Sequence, residues 1–205
     1  MISIVITSCK ESVKTLQTVD ILPFYDIVVS KKIGLGVARN FGARQAKGNL
    51  LLFLDDDLYL DNSELVNHVL SVGEGEFAMT FLDGFPCTRV LAVHKDDFWS
   101  IGGFDERIRF TGEDRDFYVR ALNAGLRFKP IPIELVYHQP HLARTKNIHI
   151  AIGSVKENVK FVMKYWRSNP EVFKVDFLNR LKRGQFRTLL LQFIFFLHYA
   201  VRRIK

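Results

Sequence analysis

The stretch from Asn49 to Leu60, NLLLFLDDDLYL, constrains the fold more than any other part of the chain. Its five consecutive apolar residues lack the alternation of a half-exposed strand, so they indicate a strand covered on both faces. Three adjacent carboxylates follow at Asp55, Asp56 and Asp57, and their mutual repulsion opposes close packing. A nearby positive charge would relieve that repulsion. The sequence therefore predicts a cationic group or ion at the end of this strand.

Short apolar runs alternate with helical patterns over residues 1–141, which is typical of an α/β domain with a mostly parallel sheet. Glycines close behind the predicted helices agree with helix ends in the left-handed conformation. The predicted strands are Ile2 to Ile6, Asp26 to Ser30, Asn49 to Leu54, Phe77 to Leu82, Arg89 to His94 and Pro132 to His138. The predicted helices are Ser12 to Val19, Val37 to Lys47, Ser63 to Val72, Lys95 to Ile101 and Glu113 to Ala124.

The 205 residues suffice for one main domain with an appendage, and are too few for two large domains. We place the main domain at residues 1–150 and a basic helical extension at residues 151–205. The net charge of +7 is uneven, because the part from Lys156 onward has 12 Lys and Arg against 3 Asp and Glu, a balance of +9. A mildly acidic body with a basic, aromatic tail favours an anionic membrane surface over nucleic acid.

The extension is predicted to consist of amphipathic helices. In the first, an apolar face lies beside a cationic stripe. The apolar face comprises Val155, Val159, Val162 and Trp166, and the stripe Lys156, Lys160, Lys164 and Arg167. A second helix is predicted from Pro170 to Arg183. The apolar segment from Thr188 to Val201 would be only about 21 Å long, too short to cross a bilayer. It can lie in a membrane interface, or form a buried helix or an oligomer contact.

Cysteine usage and the opening of the sequence bear on the compartment. Cys9 and Cys87 have neither metal-ligand nor redox spacing, so reduced thiols are expected. The opening ISIVI lacks the basic segment and cleavage site of a secretory signal. We therefore predict a cytoplasmic protein that is peripheral at the inner face of the membrane.

Three groups of polar residues are candidates for chemistry. Asp55 and Asp57 can point the same way and share a hard divalent cation, although aspartates are also common in solvated turns. The acids of TGEDRDF, residues 111–117, begin a predicted helix, where carboxylates also offset the helix dipole. His138 ends the last predicted strand, with His141 in reserve. A lone histidine is more often structural, but one at the same sheet edge as an Asp triplet is a better metal-ligand candidate.

The order of these motifs resembles the GT-A fold, family 2-like glycosyltransferases over roughly residues 1–141. The motifs are GLGVARNFGARQAKGNLLLFLDDDL, then FWSIGGFDERIRFTGEDRDFYVRALNAGLRF, then a strand that ends at His138. The resemblance implies a Rossmann-like, mostly parallel sheet flanked by helices. It also implies transfer of a sugar from a nucleoside-diphosphate sugar to a hydroxyl acceptor, such as a lipid-linked or envelope glycan.

The resemblance further implies roles for individual residues. Asp114 would be the catalytic base of an inverting reaction, and Glu113 an acceptor-side or orienting residue. A Mn²⁺ or Mg²⁺ ion would be bound by Asp55, Asp57 and His138. The nucleotide sugar would be bound by Thr7, Arg39, Asp55 and Asp56.

The sequence departs from the family pattern after the second strand. SKKIGLG stands where relatives carry an acidic turn of the Asp-Asp-Gly-Ser type, and the connection from Ser30 to Gly36 is short. Lys31 or Lys32 can contact phosphate there, or be solvated. Two other classes of function therefore stay open. One is a non-catalytic nucleotide-sugar-binding or regulatory protein of the same fold, and the other is a nucleic-acid-binding protein that uses the basic tail.

Overall fold

The computed structural model describes residues 1–23, 25–60, 62–82, 85–109, 111–138, 148–165 and 168–170, with positions 178, 181, 184, 189–190 and 193–194. The strands are β1 Ile2–Thr7, β2 Tyr25–Ser30, β3 Leu50–Asp55, β4 Leu58–Tyr59, β5 Glu76–Leu82, β6 Phe85–His94, β7 Arg127–Pro132 and β8 Tyr137–His138. The α-helices are α1 Leu35–Gln45, α2 Ser63–Leu70, α3 Lys95–Ser100, α4 Glu113–Asn123 and α5 Ile148–Tyr165. Short 3₁₀ helices occupy Lys14–Gln17, Val19–Ile21 and Ile133–Leu135.

The main sheet has six strands in the order β2-β1-β3-β6-β5-β7. Strand β1 pairs in parallel with β2 and β3, and β5 pairs in parallel with β7, whereas β3 and β6 are antiparallel. The predicted mixed, mostly parallel α/β sheet is therefore confirmed. The carboxyl ends of β1, β2 and β3 lie at one edge, which is where open α/β sheets bind their ligands.

Both faces of the sheet are covered, as the unbroken apolar run in β3 predicts. Alternate residues of β1 point to opposite faces, so Ile4 and Ile6 belong to one core cluster and Val5 to the other. The second cluster is rich in phenylalanine. The ring of Phe104 lies 5.5 Å from that of Phe53 and 5.0 Å from that of Phe117, between centroids. These contacts fix the start of α4 and the loop before it against the end of β3.

Two predicted elements are wrong in type or extent. Residues Ser12 to Val19 form 3₁₀ turns rather than one helix, and the hydroxyl of Thr15 is used to hold a neighbouring turn instead. The predicted strand from Pro132 to His138 is divided among the end of β7, a 3₁₀ turn and β8. Strand β7 begins at Arg127 and lies at the edge of the sheet, where its prolines are tolerated because an edge strand has unpaired positions.

Strand β8 pairs with β4 in a separate two-stranded ribbon. His138 is opposite Leu58, and Tyr137 is opposite Tyr59, with 5.5 Å between the centroids of the two tyrosine rings. The backbone of His138 is therefore paired with the residue that follows Asp57. The side chain of His138 and all of His141 lie outside the described part of the chain.

The chain divides into two compact units. The first comprises Met1–Leu82, Pro86–Arg109 and Glu113–His141, and the second Asp83–Phe85, Phe110–Gly112 and Leu142–Lys205. In the second unit, α5 is amphipathic as predicted, with Val155 and Val159 buried and Lys156, Lys160 and Lys164 exposed. Among the described residues, no helix is both long and apolar enough to cross a membrane. The predicted second helix, Pro170 to Arg183, and most of Thr188 to Val201 lie outside the described residues.

Candidate functional site

The site begins at the carboxyl ends of three neighbouring parallel strands. Thr7, at the end of β1, is in register with Ser30 at the end of β2 and with Asp55 at the end of β3. Paired residues of adjacent strands point to the same face of a sheet, so these side chains share the face that α1 covers. The structure thus places Thr7 beside the acidic triplet, and its predicted nucleotide-sugar contact stays a prediction.

The three aspartates after β3 have different surroundings. Asp55 retains 31% of its side-chain surface, whereas Asp57 is buried with only 8% of the residue exposed. The carboxylate of Asp56 accepts a hydrogen bond from the Ser8 hydroxyl and lies 2.8 Å from the Lys10 ammonium nitrogen. Asp56 therefore joins the triplet to the loop that follows β1. Its predicted nucleotide contact stays a prediction.

Thr15 holds the triplet from the other side, and sequence reasoning missed it. Its hydroxyl donates to the carbonyl oxygen of Asp55 at 2.7 Å and accepts from the Leu58 N–H at 3.0 Å. The N–H of Lys14 also donates to the carbonyl oxygen of Asp56, at 3.1 Å. A threonine within a predicted helix gave no signal of this role, because the partner turn is distant in sequence. The turn is held by these bonds and is not a freely solvated loop.

Arg39, in the middle of α1, lies between the two acidic clusters. Its Nη1 donates to Oε1 of Glu113 at 2.8 Å, and its Nη2 lies 3.4 Å from Oδ1 of Asp55. The side chain is buried, and the guanidinium carbon lies 5.2 Å from the centroid of the Phe104 ring. Residues from α1, β3 and α4 therefore meet at one buried cation, the guanidinium of Arg39.

The next residue along α1, Asn40, holds the loop before α4. Its amide accepts from the Phe104 N–H at 2.9 Å and donates to the Phe104 carbonyl oxygen at 2.8 Å. Gly103 has a φ of +64°, and a Cβ there would lie 2.7 Å from the Asn40 oxygen and 3.0 Å from the Phe98 ring. Only glycine fits without strain, because other residues rarely adopt this conformation and have no space here. Packing thus explains the second glycine of the GGF motif.

The acids at the start of α4 also differ from one another. Glu113 is bound to Arg39, and Asp116 forms an ion pair with Arg120 at 2.7 Å. Arg120 also donates to the carbonyl oxygens of Ile101 and Gly103, so it ties α4 to the same loop. Asp114 stands between them, and its Oδ1 accepts the N–H of Arg115 at 2.8 Å.

Burial and like charges perturb the acids of the site. Burial raises the pKa of Asp55 to about 6; Arg39 opposes the rise, while Asp57, Glu113 and Asp56 add to it. Burial also raises the pKa of Asp114 to about 6, with Glu113 adding to the effect and Arg115 and Arg39 opposing it. Burial alone would lower the pKa of Arg39, but Glu113 and Asp55 more than offset this, so the pKa is raised. Desolvation is the main cause of both raised values, and the carboxylates of the site, which outnumber the two arginines that act on them, add to it.

The predicted metal ligands can be compared with this geometry. Asp55 and Asp57 supply hard oxygen ligands on either side of Asp56, and the excess of negative charge suits a divalent cation. Among the described residues, no group of three or more His, Cys, Asp or Glu side chains is arranged to hold a metal ion. The two aspartates would thus need ligands from outside this set, such as phosphate oxygens or water.

Residues 4–131 match the model of the family described as glycosyl transferase family 2. A comparison of the sequence with curated proteins gave no match.

Three solved structures of enzymes that transfer glycosyl groups have similar folds. A mannosyltransferase from Pyrobaculum calidifontis, in complex with GDP-Man and Mn²⁺, has a TM-score of 0.65 at 12% identity, over 98% of this chain and 75% of that one. Glucosyl-3-phosphoglycerate synthase from Mycobacterium tuberculosis, in complex with Mn²⁺, uridine-diphosphate and phosphoglyceric acid, has a TM-score of 0.57 at 13% identity, over 80% and 78%. The catalytic domain of Drosophila beta-1,4-galactosyltransferase 7, in complex with xylobiose, has a TM-score of 0.51 at 18% identity, over 63% of each chain. These likenesses confirm the predicted GT-A fold.

Proposed function

The chain belongs to glycosyl transferase family 2, and from that premise we propose that it transfers a sugar from a nucleoside-diphosphate sugar to a hydroxyl acceptor, with inversion and with the aid of Mn²⁺ or Mg²⁺. The predicted enzyme class, a glycosyltransferase, is confirmed by the family match. The observation that carries the rest of the proposal is the meeting of Asp55, Arg39 and Glu113 at the carboxyl edge of the sheet, with Asp114 beside them.

Asp114 is proposed as the catalytic base. Its carboxylate would take the proton of the acceptor hydroxyl as the acceptor oxygen bonds to the anomeric carbon. The bond from that carbon to the diphosphate breaks, and the leaving group keeps the electron pair. The pKa of about 6 favours this role, because the group is ionised near neutral pH yet remains basic enough to accept a proton. Glu113, held by Arg39, would orient the acceptor side.

Asp55 and Asp57 are proposed to hold the divalent cation against the donor diphosphate, with His138 as the further candidate ligand. When bound, the ion supplies Lewis-acid stabilisation of the charge that develops on the leaving group. The complexes of the mannosyltransferase with GDP-Man and Mn²⁺, and of the synthase with uridine-diphosphate and Mn²⁺, support this combination of ligands. Thr7 and Asp56 are the proposed nucleotide-sugar contacts at the same edge.

A thermal-shift screen of nucleoside diphosphates and nucleotide sugars, with and without Mn²⁺, tests the donor and metal parts together. We expect stabilisation by one nucleotide base that depends on Mn²⁺ and is lost in Asp57→Asn. Glu64→Gln removes an exposed carboxylate in the first turn of α2 and serves as the control, with no expected change. Equal shifts with and without Mn²⁺ would exclude the metal-dependent mode. Metal-dependent binding with no transfer to any acceptor would favour a non-catalytic binding protein.

We further propose that the extension contacts an anionic membrane and that the acceptor is lipid-linked or an envelope glycan. Leu190, Phe193 and Ile194 are helical, spaced for one helix face, and each more than half exposed. The balance of +9 from Lys156 onward complements anionic lipid headgroups.

Flotation with anionic and with neutral liposomes tests the membrane contact. Replacing Leu190, Phe193 and Ile194 together by serine is expected to abolish co-flotation with anionic vesicles, and neutral vesicles should bind weakly throughout. Unchanged flotation of the triple variant would refute the contact. Binding that instead follows added nucleic acid, with a steep dependence on salt, would favour the nucleic-acid alternative.

A further inference from the structure

Arg39 contacts both acidic clusters of the site. One guanidinium nitrogen is 2.8 Å from Glu113, at the start of α4, and the other is 3.4 Å from Asp55, at the end of β3. Glu113 and Asp55 are far apart in sequence and belong to different elements. Arg39 therefore links the end of β3 directly to the start of α4.

The guanidinium is fixed from several directions. It is 3% exposed, it lies over the Phe104 ring, and the backbone of Phe104 is held in turn by Asn40, the residue next to Arg39. A planar group with two donor nitrogens can bind two carboxylates at a set spacing, whereas the single ammonium of lysine cannot reproduce that fork. With its nitrogens directed to Glu113 and Asp55, Arg39 is arranged to organise protein groups rather than to bind the nucleotide.

We infer that Arg39 is a positioning residue that couples the donor half of the site to the acceptor half, by holding Asp55 and Glu113 at a fixed separation. The inference rests on the proposed function, in which Asp55 belongs to the metal and diphosphate site and Glu113 neighbours the base. It assigns to Arg39 a different role from the nucleotide contact that the sequence predicts. Loss of the guanidinium should disturb metal binding and turnover together, although Arg39 touches neither the ion nor the acceptor.

The competing explanation is that Arg39 merely neutralises buried acids and so stabilises the fold. A buried carboxylate without its cation is strongly destabilising, so Arg39→Gln alone could fail to fold. Arg39→Lys keeps the positive charge and loses the fork, and it therefore separates charge from geometry. Arg44→Gln is the matched control, because Arg44 is on the same helix and its ion pair with Glu106 is exposed on both sides.

The experiment measures Tm, the Kd for Mn²⁺ with a nucleoside diphosphate, and kcat and KM for Arg39→Lys, Arg44→Gln and the wild type. We expect Arg39→Lys to keep its Tm close to that of the wild type, and to lose about tenfold or more in Mn²⁺ affinity and in kcat, a loss typical of residues that orient ligands. Arg44→Gln should change none of these values. Arg39→Lys with native Mn²⁺ affinity and kcat would overturn the inference, because charge alone would then suffice.

A second variant keeps the test decisive if Arg39→Lys is unstable. In Arg39→Gln combined with Glu113→Gln, the buried acid is neutral, so the Tm should recover relative to Arg39→Gln. If the role is to position Asp55, the Mn²⁺ affinity of this double variant stays about tenfold or more below that of Glu113→Gln alone. Equal affinities would overturn the inference. A wild type that binds Mn²⁺ and nucleotide but transfers no sugar would refute the proposed enzyme, while the affinity comparison still decides the role of Arg39.

Discussion

The site has two acidic clusters, Asp55 to Asp57 and Glu113 to Asp116. Neighbouring carboxylates repel one another in both, and the two clusters differ in which acids have positively charged or hydrogen-bonding partners. In the first, Asp56 is bound by the Ser8 hydroxyl and by Lys10 at 2.8 Å, while Asp55 lies 3.4 Å from Arg39. In the second, the outer residues are tied down, Glu113 by Arg39 and Asp116 by Arg120. In each cluster, therefore, some carboxylates form hydrogen bonds or ion pairs that stabilise the fold.

The contrast extends to the pKa values of two acids, Asp114 and Asp55. In the α4 cluster, the middle residue Asp114 has its pKa raised to about 6 by burial and by Glu113, which suits a base. In the triplet, burial raises the pKa of Asp55 to about 6, although Arg39 opposes the rise. A run of like charges in a sequence does not reveal this division, because the partners of each acid come from distant positions.

The largest effect is expected for Asp114, the acid of α4 that is proposed as the catalytic base. Asp114→Asn keeps the size of the side chain and removes the base, so kcat should fall by about 10² to 10⁴. The circular dichroism spectrum and the affinity for donor nucleotide should remain native. Asp116→Asn is the variant to compare, because the Asp116 carboxylate pairs with Arg120 and stabilises the fold. The folded fraction of this variant should keep much of the wild-type kcat. Wild-type-like turnover by Asp114→Asn would refute the proposal that Asp114 is the catalytic base.

The next largest effect is expected on stability, for substitutions in the loop before α4 that contains Gly102 and Gly103. Gly103→Ala places a Cβ 2.7 Å from the Asn40 oxygen at a φ of +64°, so we expect a loss of about 2 to 4 kcal/mol in the free energy of unfolding. Gly102→Ala has a similar positive φ with open space around it, and should cost only about 1 kcal/mol. Urea denaturation measures both. Equal losses would mean that packing against Asn40 is unimportant.

The structural acids themselves can be compared directly. Asp116→Asn should destabilise the protein more than Asp56→Asn does, because the partner Arg120 is 21% exposed whereas Lys10 is 55% exposed. Reasonable magnitudes are about 2 kcal/mol and about 1 kcal/mol in the free energy of unfolding. Thermal or urea unfolding of the two variants tests the order. A reversed order would show that the tie between Asp56 and Ser8 matters more than the ion pair of α4.

The smallest expected effect is a pH dependence of stability. The folded pKa of Asp114 is raised to about 6, above its ordinary value of 3.8, so the folded protein binds more protons than the unfolded chain between these values. The contribution of Asp114 to stability therefore falls as the pH rises from about 4 to about 6. Asp114→Asn lacks this term, so its Tm relative to the wild type should increase over that window and level off above it. A constant difference would mean that the pKa is not raised.

Much of the fold was predictable because β3 and its neighbours are continuous apolar runs, and such runs indicate a covered sheet regardless of context. The sequence predicts a strand only from Pro132, whereas β7 begins at Arg127. Its first residues include the polar Arg127 and Lys129, and two of its later residues are prolines, features that an edge position explains. The acidic clusters and Arg39 could be singled out from their motifs. Thr15, Ser8 and Lys10 could not, because a hydroxyl or an ammonium that holds a distant turn has no local signature.

The contacts of helix α1 determine where this chain can accept insertions or deletions. Arg39 and Asn40 are consecutive, so they project about 100° apart around the helix and serve two different parts of the site. Gly42 locks the same helix to the sheet, because a Cβ there would lie 2.3 Å from the side chain of Val5. Inserting or deleting one residue inside α1 would turn all three contacts out of place at once. Residues 31–33, before Gly34, are exposed, and the Lys32 ammonium lies 4.9 Å from the centroid of the Phe41 ring of α1, so we expect this connection to accept insertions with the loss of that cation–π contact.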